Sequence, residues 1–237
     1  MNTFRSTSLF ILITAFLFSN AASADATTII STYDRGHFQD DGTHYHWTTN
    51  YAAGNDSGNR EFRSFFVFDV SSLVGNTITS ATLSLWLPET GYASQDYSET
   101  YTLYDVRNTN ISDLIGTSGT ITNTDIFNDL GTGDIYGSTV VTEADEGSYL
   151  NIVLGSDALL DVNNALGDYF AIGAAVTSLD HNGDSIQEVI FVNTQEVPLG
   201  DAFLSLEVTP IPEPATMLLL GVGLVGLAGL RRNFKKS

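Results

Sequence analysis

The chain has 237 residues, no cysteine, and 28 acidic residues against nine basic ones, which excludes disulfides and thiolate metal sites. All 28 acids lie between Asp25 and Glu213, where the only bases are Arg35, Arg60, Arg63 and Arg107; that stretch stands at −24 and has no lysine. A field of this sign repels phosphate backbones, which excludes nucleic acid and points to cations and to neutral or basic polymers as partners.

Residues 1–24 open with Arg5, continue through an apolar run from Leu9 to Phe18, and end in Ala22-Ser23-Ala24. A short basic region, a short apolar core and a small-x-small site are the parts of a secretory signal peptide, with cleavage after Ala24 and before Asp25. The run is too short to span a bilayer comfortably.

Residues 25–209 read as one domain of a size that supports a full core. Short stretches rich in β-formers are bounded by Gly, Asn, Asp and Ser, and strands are predicted at 27–32, 44–51, 63–70, 81–87, 101–107, 149–154, 169–177, 187–193 and 202–209. Leu83, Leu85 and Leu87 alternate with polar neighbours, as do Leu204, Leu206 and Val208, which is the half-buried pattern of an antiparallel sheet. The expectation is an all-β, antiparallel sandwich. One short helix is predicted after Ser156-Asp157, with Ser156 as its N-cap and Gly167 near its end. The Thr-, Asn-, Gly- and Asp-rich segment 108–147 reads as edge strands and loops.

Three groups of residues carry candidate chemistry. His37, Asp40, Asp41, His44 and His46 fall within ten residues, and alternation puts His44 and His46 on one side of a strand, where they are either exposed or part of a metal or acid/base site. Asp180, Asn182 and Asp184 occupy alternate positions of a turn, with Glu188 four residues on. Such oxygen donors suit calcium, although glycine falls at the fourth position of this loop instead of the sixth that an EF-hand requires. Trp47 and Trp86 are candidate sugar-stacking residues, with burial in either sheet as the alternative. No residue is assigned a catalytic role, because with 28 acids many carboxylate pairs arise by chance.

The C-terminal segment 210–237 is organised in three parts. Pro212-Glu213-Pro214 makes a stiff extended stretch. An uncharged run of sixteen residues, 215–230, follows it. Arg231, Arg232, Lys235 and Lys236 then close the chain, and positive charge stays on the cytoplasmic side, so the domain lies outside. As a helix the run is roughly 24 Å long, a short span of a core of about 30 Å. This tail closely resembles the PEP-CTERM sorting signals of Gram-negative bacteria. The resemblance implies an inner-membrane precursor with a transmembrane sorting helix, recognition by an exosortase, removal of the tail, and delivery to the surface or extracellular matrix. A permanent single-span anchor is the alternative.

The stretch from Arg63 to Leu73, a Gly75-Asn76 turn and the stretch from Ile78 to Leu85 resemble the first half of DNRLRE-type jelly-roll modules. Some of those modules bind carbohydrate in bacterial surface proteins. The resemblance implies that Asp69 and Ser71 cap the turn, that the following strand pairs back, and that Glu188–Asn193 and Ala202–Val208 form a closing strand pair. The leading expectation is therefore a non-enzymatic, jelly-roll-like sandwich that binds extracellular polysaccharide or holds the matrix together, with no required cofactor beyond structural calcium. A polysaccharide-degrading enzyme using the His37–His46 cluster is the second expectation. An ice- or surface-binding module using Thr77/Thr79 and Thr120/Thr122 is the third.

Overall fold

The computed structural model describes residues 25–116, 119–180, 186–194 and 199–211. Residues 1–24, expected to be a signal peptide, with Asn182, Asp184 and the tail from Pro212 onward, including Glu213, Pro214, Arg231 and Arg232, lie outside the described residues. Among the described residues no helix is long and apolar enough to cross a membrane.

Two antiparallel sheets enclose the main core. The first has four strands in the order β1 (Ala26–Ser31), β13 (Ala202–Pro210), β6 (Asn76–Leu87), β10 (Ser148–Val153). The second runs β12 (Glu188–Ile190), β4 (Ala53–Asn55), β5 (Glu61–Asp69), β11 (Tyr169–Val176), β7 (Glu99–Tyr104), β9 (Ile135–Val141), with β2 (Asp34–Gln39) also paired to β5. A small third sheet joins β3 (Thr43–Tyr45) to β8 (Thr120–Thr122). The expected sandwich is the architecture observed. Alternation sets its inner faces: Leu83, Leu85 and Leu87 on β6 and Leu204 and Leu206 on β13 are fully buried.

β5 departs from alternation. Phe65, Phe66, Val67 and Phe68 are all fully buried, because the sheet is covered on both sides, and a strand covered on both sides reads as a continuous apolar run. Phe66 and Phe68 face the main core, while Phe65 and Val67 join a second cluster with Phe38, Leu114, Ile126, Phe127 and Leu130. That second cover comes from 108–147, the segment expected to be edge strands and loops. It contains α1 (Thr124–Asp129), a helix that was not expected, capped by the Asn123 side chain accepting from the Asp125 amide at 3.0 Å, as well as β9, which is indeed an edge strand.

The helix predicted after Ser156 is α2 (Ser156–Asn164), but its N-cap is Gly155 and Ser156 is its first residue. With α1 the described residues hold two short α-helices, not one. Where β10 ends, α2 takes over its role beside β6: Asn163 Oδ1 accepts from the Ile78 amide (2.8 Å) and Asn163 Nδ2 donates to the Ile78 carbonyl (2.9 Å). Asp69 does cap the turn after β5, accepting from the Ser71 amide at 2.9 Å. The two strand pairings implied by the jelly-roll resemblance do not form: β5 and β6 lie in different sheets, and so do β12 and β13. The turn after β5 carries the chain across the sandwich instead of folding it back as a hairpin.

Candidate functional site

All four arginines of the domain are engaged internally. Arg107 reaches Asp105 and Asp134, each at 2.6 Å, and Asp161 at 3.3 Å. Arg63 pairs with Glu61 at 2.8 Å and lies over the Phe127 ring at 4.2 Å while donating to two carbonyls at the end of α1. Arg60 pairs with Asp56 at 2.6 Å. Arg35 is fully buried against the Tyr51 ring and donates to the Thr194 carbonyl. The domain's positive charge is thus spent on its own fold.

The carboxylates converge at one place. Asp96, Glu99 and Glu188 each offer an oxygen, and the three oxygens lie within 4.8 Å of one another. Glu99 opens β7 and Glu188 opens β12, and both are fully buried. The approach to β7 lies along β12: the Ala93 amide donates to the Val189 carbonyl (2.8 Å) and the Gln95 amide to the Gln187 carbonyl (2.9 Å). Glu99 accepts from the hydroxyls of Ser94, at 2.5 Å, and Ser178. Glu188 accepts from the Asp180 amide at 2.9 Å. Burial pushes the Glu99 carboxyl up; the two serine hydroxyls oppose this, and Glu188 and Asp96 add repulsion. Three carboxylate oxygens at this spacing match the first ligands of a hard divalent cation such as calcium. Asp96 also lines an open pocket of about 560 Å³ with Tyr92, Gln95, Tyr97 and Glu143.

Of the four residues read as calcium ligands, Glu188 belongs to this cluster and Asp180 supports it through its amide. Asp96 and Glu99, 92 and 89 residues before Glu188 in sequence, were not anticipated. Nothing local marks them; only the pairing of 93–95 with 187–189 brings them to Glu188.

His37 and His44 go inside, and His46 is half-buried beside them. His37 Nδ1 donates to the Asn50 carbonyl at 2.7 Å and His44 Nδ1 to the His37 carbonyl at 2.8 Å. His44, only 2 % exposed, stacks on Phe38 and meets Phe65 and His46 edge-on. Burial lowers both, His44 to about 4. Asp34 accepts from the Gly116 amide, and a methyl group at Gly116 would fall 2.4 Å from His46 Nδ1. Among the described residues these imidazoles and Asp40 and Asp41 do not converge as metal ligands.

Neither tryptophan is in the core. Trp47 is 64 % exposed beside Tyr45. Trp86 stands half-buried on the solvent face of the four-stranded sheet, where it meets Tyr149 at 5.1 Å, and Tyr149 meets Phe203 at 5.6 Å. Below this aromatic row the same face carries Ser84 bonded to Asn151 (2.7 Å), Ser205, Thr82, and Thr27 bonded to Glu207 (2.7 Å). The threonine pairs are separated: Thr77 and Thr79 lie on β6, whereas Thr120 and Thr122 lie on β8 in the third sheet.

Comparison with known families finds the PEP-CTERM protein-sorting motif over residues 210–232. No curated protein gives a significant match to the chain. The motif implies export, processing by an exosortase, and a membrane-anchored precursor sorted to the cell surface.

Proposed function

We propose that the chain delivers to the surface or extracellular matrix a non-catalytic β-sandwich that binds neutral polysaccharide, strengthened by a calcium ion at Asp96, Glu99 and Glu188. The observation that carries the binding reading is the solvent face of the four-stranded sheet. It sets Trp86, Tyr149 and Phe203 beside Asn151, Thr82, Ser205 and Thr27, with the exposed Ile29 and Val153 and the Glu207 carboxylate among them, and bears no lysine or arginine. Aromatic faces take the C–H surface of a sugar ring, and neighbouring polar groups take its hydroxyls. Acidic polymers would be repelled, since the arginines are already engaged. Burial of His44 and the engagement of both Nδ1 atoms with carbonyl oxygens favour binding over acid/base catalysis.

The test is a panel of neutral and acidic polysaccharides, scored for retention and for depolymerisation by residues 25–211, with and without calcium. Retention by neutral polymers without release of oligosaccharides is expected. Trp86→Ala and Tyr149→Ala should each weaken retention about tenfold, or ~1.4 kcal/mol. Release of oligosaccharides that disappears in His44→Ala would replace this reading with the enzymatic one.

A further inference from the structure

The sorting motif and the fold overlap in the chain. The motif begins at Pro210, and Pro210 is also the last residue of β13, paired with Asn76 of β6. The next residue is held too, its amide donating to the Gly75 carbonyl at 2.9 Å. β13 is an internal strand, with β1 on one side and β6 on the other, and its inward residues Leu204 and Leu206 are fully buried. The first strand braces the same end: Ala26 pairs with Val208, and the Asp25 carboxylate accepts from the Thr209 hydroxyl. In sequence, Pro212-Glu213-Pro214 follows Ile211 directly and the apolar run starts at Ala215. Four backbone steps from Ile211 to Ala215 reach at most about 14 Å. A folded sandwich therefore sits on the motif with no linker between them.

A processing enzyme takes its substrate as extended chain and engages main-chain donors and acceptors on either side of the bond it breaks. At this end the Ile211 amide is already used by the Gly75 carbonyl, Pro210 is paired in register with Asn76, and Pro210 has no amide of its own to offer. From this we infer that the folded sandwich restrains the processing of its own tail. The enzyme gains full access when the Thr209–Ile211 end of β13 leaves its place beside β6, and the rate follows the population of that locally opened form. The peptide bond that breaks passes its acyl side to water or to an amine, and its amine side leaves with the apolar tail. The inference does not depend on what the sandwich binds.

The experiment uses the full chain in a Gram-negative host that carries an exosortase, with conversion of precursor followed by pulse–chase and the product's C-terminus read by mass spectrometry. A six-residue Gly-Ser insert between Thr209 and Pro210 leaves the motif from Pro210 to Arg232 intact but frees it from the sheet. Processing should become at least threefold faster. The same insert between Ser57 and Gly58, in an exposed turn far along the chain, should leave the rate unchanged. A second variant, Leu206→Ala, weakens β13 from within the core and should also accelerate conversion with the motif untouched. An unchanged or slower rate in the Thr209 insert would overturn the restraint.

Discussion

His44 is enclosed by Phe38, Phe65 and His46, so its charged form would have to exist without water. Its folded value of about 4 lies below the ordinary 6.5, so between those pH values the unfolded chain holds a proton that the folded one does not. Stability is therefore fully present above pH 6.5 and is lost as pH falls toward 4, by about 3 kcal/mol from this residue. His37, also lowered by burial, adds in the same direction. Urea midpoints at pH 7 and pH 4.5 should differ strongly in the parent, and His44→Gln should flatten the difference. Glu99 works the other way: raised by burial and by its acidic neighbours, it costs stability as pH rises through its folded value when no cation is bound. Glu99→Gln should thus be neutral or stabilising in chelator at pH 7. The parent should gain about 2.7 kcal/mol at calcium one hundred times its dissociation constant, and the variant should gain almost nothing. Thermal unfolding in both conditions checks this, and equal behaviour of the parent in chelator and calcium would remove the cation from the proposal. The spacing His44-x-His46 was legible in the sequence. Its burial was not, because β2 and β3 are too short to show which face is covered.

Gly54 on β4 shows how an element holds the carboxylate cluster. Its φ is +117°, a backbone conformation that side chains avoid, and a Cβ there would fall 1.9 Å from the Glu188 carbonyl oxygen. β12 can lie against β4, and so deliver Glu188, only because this position has no side chain. Gly54→Ala should cost about 2–4 kcal/mol and should abolish any calcium-dependent gain in melting temperature; preservation of both would contradict this role. Gly173 on β11 does similar work for the second core, where an added Cβ would meet the Leu130 backbone at 2.7 Å. Alternating leucines on β6 and β13 made the four-stranded sheet readable, since one of its faces is wet. The seven-stranded sheet was harder to read, because Phe65–Phe68 has no period when both faces are covered. The cover itself was hidden: α1 has only six residues and is rich in Asp, Asn and Thr, and it owes its existence to Phe127 and Ile126 fitting over β5 more than to propensity. Pairings between distant segments, such as 93–95 with 187–189, leave no local trace at all.

At the scale of the molecule, β13 is the strand on which most depends, lying between the first strand and β6 and completing the core last in chain order. Leu204→Ala, at a fully buried position, should cost about 2–5 kcal/mol, measured as a loss of urea midpoint for residues 25–211. The C-terminal sorting motif was the most legible part, because a sorting signal is written in composition and order and not in tertiary contacts. The arrangement of the arginines has a consequence of another kind. With Arg107, Arg63 and Arg35 turned inward or clasped by acids, the excess negative charge of the domain is left facing outward. Neighbouring copies on one cell surface then push each other apart over about 30 Å at 0.01 M ionic strength but only about 8 Å at 0.15 M. How closely these molecules can crowd is thereby set by the salinity of the water around the cell.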